Sequence, residues 1–165
     1  SQSLGLVMTG SEQVVLPATV AAILEALKTP AHNAGQSLGQ WISGKNIVIV
    51  NHSNLIGKPL AAALLNLEAT VTVCHAATQN LKDFTAAADI LVTATGNVGL
   101  ITPDMIKDGC VVVDVTSIKT PEGVKGDIQI TPELEQKVEW LTPVPGGVGP
   151  LTVACLLKNL INLPQ

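Results

Sequence analysis

Residues able to do chemistry gather in four short segments: Asn51-His52-Ser53-Asn54, His75-Ala76-Ala77-Thr78, Thr95-Gly96-Asn97-Val98 and Thr116-Ser117-Ile118. Each follows an aliphatic run, so each is expected at the carboxyl end of a strand. Amides, hydroxyls and imidazoles at such ends suit hydrogen bonding to phosphate or ribose. The helix that opens near Gly57-Lys58-Pro59 adds free N–H groups and a positive dipole end, which attract an anion. An ordinary strand-to-helix corner with no ligand is the plainer alternative. His52 and His75 would stand together if their strands pair. Without a third ligand, contact with phosphate or ribose is the better reading than a metal site.

Other chemistries find less support. Ser53 has no acid or base at triad spacing, and the chain has no Tyr and one Phe. Asp114 and Asp127 could pass for paired carboxylates. Asp114 reads better as a strand-end residue binding local backbone N–H groups, and Asp127 as part of the following turn. His32 reads as a solvated loop residue. Lys45, Lys58, Lys107, Lys119 and Lys125 have no context that would lower their pKa.

The elements that must position these segments alternate. Strands are expected at Asn46 to Val50, Thr70 to Cys74, Asp89 to Thr95, Cys110 to Val115 and Glu139 to Leu141. Helices are expected from Pro17 (with Val20, Ile23, Leu24 and Leu27 on one face), Gly57 to Leu67, Leu81 to Ala87, Pro103 to Lys107, Pro132 to Val138 and Leu151 to Leu160. Residues 1 to 16, with Gly5 and Gly10, read as an irregular lead-in, and Thr29 to Gly44 as a loop. Pro121, Gly123 and Gly126 suggest a hairpin-like excursion between Thr120 and Ile130. Alternation at crossover spacing predicts an α/β fold, a Rossmann-like doubly wound and mostly parallel sheet with helices on both faces. Ligands of such sheets bind outside the carboxyl ends of the strands. Residues 1–44 are expected to form a lead-in with a linking helix, and 45–165 the ligand-binding domain, closed by a C-terminal helix.

Composition narrows the class. The chain has 165 residues, 47% hydrophobic and 13% charged, with net charge −4. That favours one well-cored domain, and the scattered basic residues argue against nucleic acid. No apolar window reaches membrane-span length. Cys74, Cys110 and Cys155 lie far apart in apolar contexts and read as reduced thiols, which suits the cytoplasm. A start at Ser1 suggests that something upstream has been removed. The G-x-G-x-x-G fingerprint is missing from the first turn, where Gly57 stands alone. The second strand ends in His75-Ala76 rather than an acid for a ribose 2′-OH. The generic fingerprint therefore does not establish a dinucleotide site.

The block Thr142 to Pro150, TPVPGGVGP, reads as an irregular path that allows close approach to a ligand or neighbouring domain, or as a tight structural connection. Thr142 to Thr152 resembles the most diagnostic block of the bifunctional methylenetetrahydrofolate dehydrogenase/cyclohydrolase family, with Leu151 where Met is usual. Ser53 to Pro59, Ala69 to Leu81, Ala88 to Gly96 and Gly126-Asp127 support the resemblance in the family's order. So does Leu16 to Val20, which resembles the family's Pro-Cys-Thr-Pro helix start. The resemblance implies NAD(P)-dependent oxidation of 5,10-methylenetetrahydrofolate and hydrolysis of the methenyl product. It implies cofactor contacts at Asn51, His52 and Ser53 (phosphate and ribose), Ala76 (adenosine ribose), Thr95 and Gly96 (centre), and Thr116 and Ser117. Pro145, Gly146 and Gly147 would face tetrahydrofolate. No metal is implied, and a homodimer is the common family state.

Departures from the family pattern shape the expectation. Asn51-His52-Ser53 stands where Gly-Arg/Ala-Ser is usual, and Asp114 to Ile118 replaces Asp-Val-Gly-Ile-Asn. His52 and Ala76 occupy positions where NADP users carry Arg and Ser, which favours NAD over NADP. The family's N-terminal folate domain, with its Tyr-x-x-x-Lys pair, has no counterpart in this sequence. The fragment alone is expected to be inactive, leaving its standing as an enzyme open. A free-standing, non-catalytic dinucleotide- or partner-binding module is the competing expectation.

Overall fold

The computed structural model describes residues 15–161, and the lead-in expected at the N-terminus lies almost wholly outside them. Five parallel strands form one sheet: β1 (Asn46–Val50), β2 (Thr70–Cys74), β3 (Ile90–Thr93), β4 (Val111–Asp114) and β7 (Trp140–Leu141). A hairpin, β5 (Ile118–Thr120) with β6 (Gly123–Lys125), stands apart as a two-stranded sheet. The helices are α1 (Ala18–Asn33), α2 (Leu38–Ile42), α3 (Gly57–Leu65), α4 (Leu81–Thr85), α5 (Pro132–Lys137) and α6 (Val148–Ile161), with a single 3₁₀ turn at Pro103–Met105.

Alternation along the strands makes two cores. Ile47 and Ile49 of β1 face one layer, with Ile23 and Leu27 of α1 and Leu60 and Leu64 of α3. Val48 and Val50 face the other, with Ile101, Ile106 and Leu134. Strands covered on both sides read as unbroken aliphatic runs, as β1, β3 and β4 do. Each wholly buried aliphatic side chain contributes roughly 1.5–3 kcal/mol.

The sheet order is β2-β1-β3-β4-β7. From β1 the chain steps outward to β2, then crosses back to place β3 on the other side of β1. The loops after β1 and β3 therefore diverge, and a crevice opens between them at the carboxyl edge.

Two expectations are corrected. The segment Thr29 to Gly44 is not a loop: α1 continues through Pro30 to Asn33, and α2 follows. Ser37 and Gln40 form a reciprocal capping box, with the Gln40 N–H donating to Ser37 Oγ and the Ser37 N–H to Gln40 Oε1. His32 accordingly sits in the last turn of α1, where it is exposed. The irregular block also ends early, because Val148, Gly149 and Pro150 already belong to α6. First-turn N–H groups have no intrahelical partner, so Pro150 removes no helix hydrogen bond there. Smaller shifts are fraying: α3 and α4 each end two residues sooner than expected.

Candidate functional site

The turn after β1 is built by Asn51. Its Nδ2 donates to the Ala94 carbonyl at 2.7 Å, tying the two diverging loops together. Its Oδ1 accepts from the backbone N–H of Ser53 (2.8 Å) and of Gly57 (3.0 Å). Ser53 Oγ accepts from the Ile56 N–H at 3.1 Å. A Cβ at position 57 would lie 2.0 Å from the Asn51 carbonyl oxygen, so only glycine lets the chain fold back this closely.

His52 and His75 meet as their strand register requires, with ring centroids 4.9 Å apart. His75 Nδ1 accepts from the Ala77 N–H at 3.2 Å, which fixes the ring over the turn after β2. These rings, with Ser53, Ala76, Thr95 and Asn97, line a cleft of about 480 Å³ whose apolar wall is Val50, Leu81 and Leu100. No lysine lines it, and the sequence contains no arginine.

A second cavity of about 250 Å³ holds Thr116 and Ser117 against Pro145, Gly146 and Gly147. There the Val144–Pro145 peptide is cis and Gly146 has φ +104°. A Cβ on Gly147 would come within 2.5 Å of the Pro143 carbonyl oxygen. The predicted residues thus fall into two groups, one at each cavity. Gly96 stands between the groups: at φ +75°, it donates its N–H to Thr116 Oγ1 at 3.1 Å.

Two buried carboxylates hold these loops. Asp114 behaves as expected of a strand-end residue: Oδ1 accepts from the Thr116 N–H and Oδ2 from the Ile128 N–H, both at 2.9 Å. Burial pushes its pKa up to about 6, against the lowering effect of those N–H groups and with the nearby Asp127 adding to the rise. Gly126 packs on this carboxylate so closely that a Cβ would lie 2.1 Å from Oδ2. Asp127 lies in the bend after β6, as expected, but with its carboxylate turned inward. It is wholly buried, and it accepts from the Thr95 N–H at 2.6 Å and the Asn97 N–H at 3.0 Å. Sequence reasoning weighs Asp127 only as a possible carboxylate partner of Asp114, as a turn residue and as half of a Gly-Asp dipeptide, although glycine beside an acid is the local signal of a close approach. It also misses Thr142, whose Oγ1 accepts the Asp114 N–H at 2.8 Å.

Among the described residues no three His, Cys, Asp or Glu side chains are grouped to hold a metal ion, and no helix is long and apolar enough to cross a membrane. Cys74 and Cys110 are buried free thiols, and burial pushes Cys110 up to about 12.

A parallel sheet with a cleft at its switch point, and a smaller glycine-walled cavity at the end of β4, defines an α/β domain of the kind that binds ligands at its carboxyl edge. Residues 17–165 match the family model of the tetrahydrofolate dehydrogenase/cyclohydrolase NAD(P)-binding domain, and the chain belongs to that family. It is 47% identical over 163 residues to the bifunctional protein FolD of Methanosarcina barkeri, covering 99% of this chain and 53% of that protein. The solved FolD of Campylobacter jejuni superposes with a TM-score of 0.85 at 39% identity, covering 95% of this chain and 53% of that one. The Trypanosoma brucei FolD complexed with NADP and an inhibitor gives 0.82 at 34% identity, covering 97% and 54%. The chain spans about half the length of these relatives.

The residues present fit a dinucleotide. The apolar wall of Val50, Leu81 and Leu100 suits a base, and hydroxyls and imidazoles surround it for ribose and phosphate. The glycine-lined cavity offers a second pocket beyond Gly96.

Proposed function

We infer that this chain is the cofactor half of a methylenetetrahydrofolate dehydrogenase/cyclohydrolase. The observation that carries the reading is a switch-point cleft and a glycine-walled cavity at the same carboxyl edge, with the loops after β3 and β4 that border them tied by the Gly96–Thr116 hydrogen bond. In this reading His52, Ser53 and Ala76 hold the adenosine and phosphate end, while Asn51 fixes their turn. Thr95 and Gly96 carry the centre, and Thr116 and Ser117 reach the nicotinamide side. Pro145, Gly146 and Gly147 form the wall that meets tetrahydrofolate. Bound NAD(P) supplies the hydride acceptor for oxidation of 5,10-methylenetetrahydrofolate. The chain's own contribution is to bind, orient and exclude water around it.

NAD is the proposed cofactor. A 2′-phosphate dianion calls for a fixed cation, and a cleft lined by His52 and Ala76, in a chain without arginine, supplies none. The folate half of the reaction centre belongs to a further domain or partner chain. Support comes from α6, whose Val153, Leu156, Leu157, Leu160 and Ile161 form an exposed apolar face that such a partner would cover. The same proposal places the protein in the cytoplasm as a homodimer, for which the open edge at β2 is available.

Joining the N-terminal half of the Methanosarcina barkeri FolD to this chain tests the reading. NAD-dependent formation of the methenyl product by the fusion, absent from either half alone, is expected. A folded fusion that binds both ligands without turnover would overturn it.

A further inference from the structure

The loop that leaves β3 spends its backbone donors inward. The Thr95 N–H goes to Asp127 Oδ2, the Gly96 N–H to Thr116 Oγ1, and the Asn97 N–H to Asp127 Oδ1. Two of these three bonds end on one carboxylate, 30 and 32 residues further along the chain. That carboxylate is wholly buried. Its neighbour Gly126 cannot carry a side chain, because Asp114 Oδ2 occupies the space. The position of Asp127 is therefore fixed from behind by β4 while its oxygens fix the loop in front.

We propose that Asp127 is a positioning residue for dinucleotide binding, holding Thr95, Gly96 and Asn97 in the shape that carries the ligand across from the first cavity to the second. The inference rests on the cofactor reading above. The two Asp127 oxygens each accept one N–H, so a single side chain serves both donors at once. Asparagine has the same outline but one acceptor oxygen, and its NH₂ would confront a backbone N–H. Asp127→Asn therefore releases one side of the turn without opening a cavity. The turn after β1 and the β2 end, where Asn51 and Thr78 do the fixing, have no bond to Asp127, and the one tie from Asn51 to the β3 loop ends on Ala94, before the residues Asp127 holds.

The test compares two probes on the 165-residue chain: NAD, which spans both cavities, and AMP, which fills the first. Calorimetry reads NAD, and NMR titration reads weak AMP binding. Asp127→Asn is expected to raise the Kd for NAD by about tenfold or more, the scale of a lost buried hydrogen bond, and to weaken AMP by a clearly smaller factor, because Thr95 and Asn97 form only part of the first cavity's lining. A Kd for NAD that does not change, or NAD and AMP weakening by one common factor, would overturn the proposal. The second outcome is what a merely structural clamp produces. If Asp127→Asn does not fold, Asp127→Ser, which keeps one acceptor oxygen on a smaller side chain, takes its place. Selective weakening of NAD then supports the proposal, and an unchanged or uniform response overturns it. Wild-type chain that binds neither probe refutes the cofactor reading itself. Wild-type binding with an unmoved variant refutes only the role of Asp127.

Discussion

At the scale of single residues, the site is made by side chains that face the backbone rather than the ligand. Asn51 satisfies three backbone groups at once, so Asn51→Ala leaves the Ser53 and Gly57 N–H groups and the Ala94 carbonyl unpaired. A loss of roughly 2–3 kcal/mol in urea unfolding is expected. Gly57→Ala forces a methyl against the Asn51 carbonyl and is expected to cost about 3 kcal/mol. Asp114 makes a prediction of opposite character. Its pKa stands near 6 in the folded chain, above that of an unfolded aspartate. The protonated form is therefore favoured by folding. The stability this adds is complete below about pH 4 and is lost as pH rises through about 6, a change of roughly 2–3 kcal/mol. Carbon-13 titration of the Asp114 carboxyl should show a midpoint near 6, and a midpoint below about 4 would contradict its burial. His52→Arg should shift preference towards NADP by about tenfold in the ratio of the two dissociation constants, because a permanent cation then meets the 2′-phosphate.

At the scale of elements, the two faces of α6 should behave differently. Val148, Leu151 and Cys155 pack towards the core with α1, whereas Leu156, Leu157 and Leu160 are exposed. Leu157→Gln should change stability by less than about 0.5 kcal/mol, while Leu27→Ala in the buried face of α1 should cost about 2–5 kcal/mol. Urea midpoints compare them directly. Strand β1 is legible to the residue, because an aliphatic run buried on both faces has no other good solution. Strand β2 is equally legible from its β-branched run, Thr70 to Val73. The end of α1 is not, because Gly, Asn, Ser and Gln make Thr29 to Gly44 read as a loop, while the buried packing of Pro30 and Ala31 keeps the helix going to Asn33. The start of α2 is visible in principle, since Ser37 and Gln40 have capping-box spacing. Asp127 is illegible for a different reason: its partners are 30 and 32 residues away, and only the crossover from β3 to the hairpin brings them together. The two histidines are legible as a pair, since parallel register alone puts the β1 and β2 ends side by side.

At the scale of the whole molecule, one sheet edge gathers every proposed contact, from the switch-point cleft to the glycine-walled cavity beside β4. The second cavity, walled by Pro145, Gly146 and Gly147, and the apolar face of α6 both suit a further domain, in keeping with relatives about twice as long. The central claim is that this chain by itself holds the dinucleotide. Calorimetric titration of the folded chain with NAD and with NADP tests it most directly. Saturable binding of one dinucleotide per chain, tighter for NAD, is the predicted result. No heat from either ligand, on a sample shown to be folded, would contradict it.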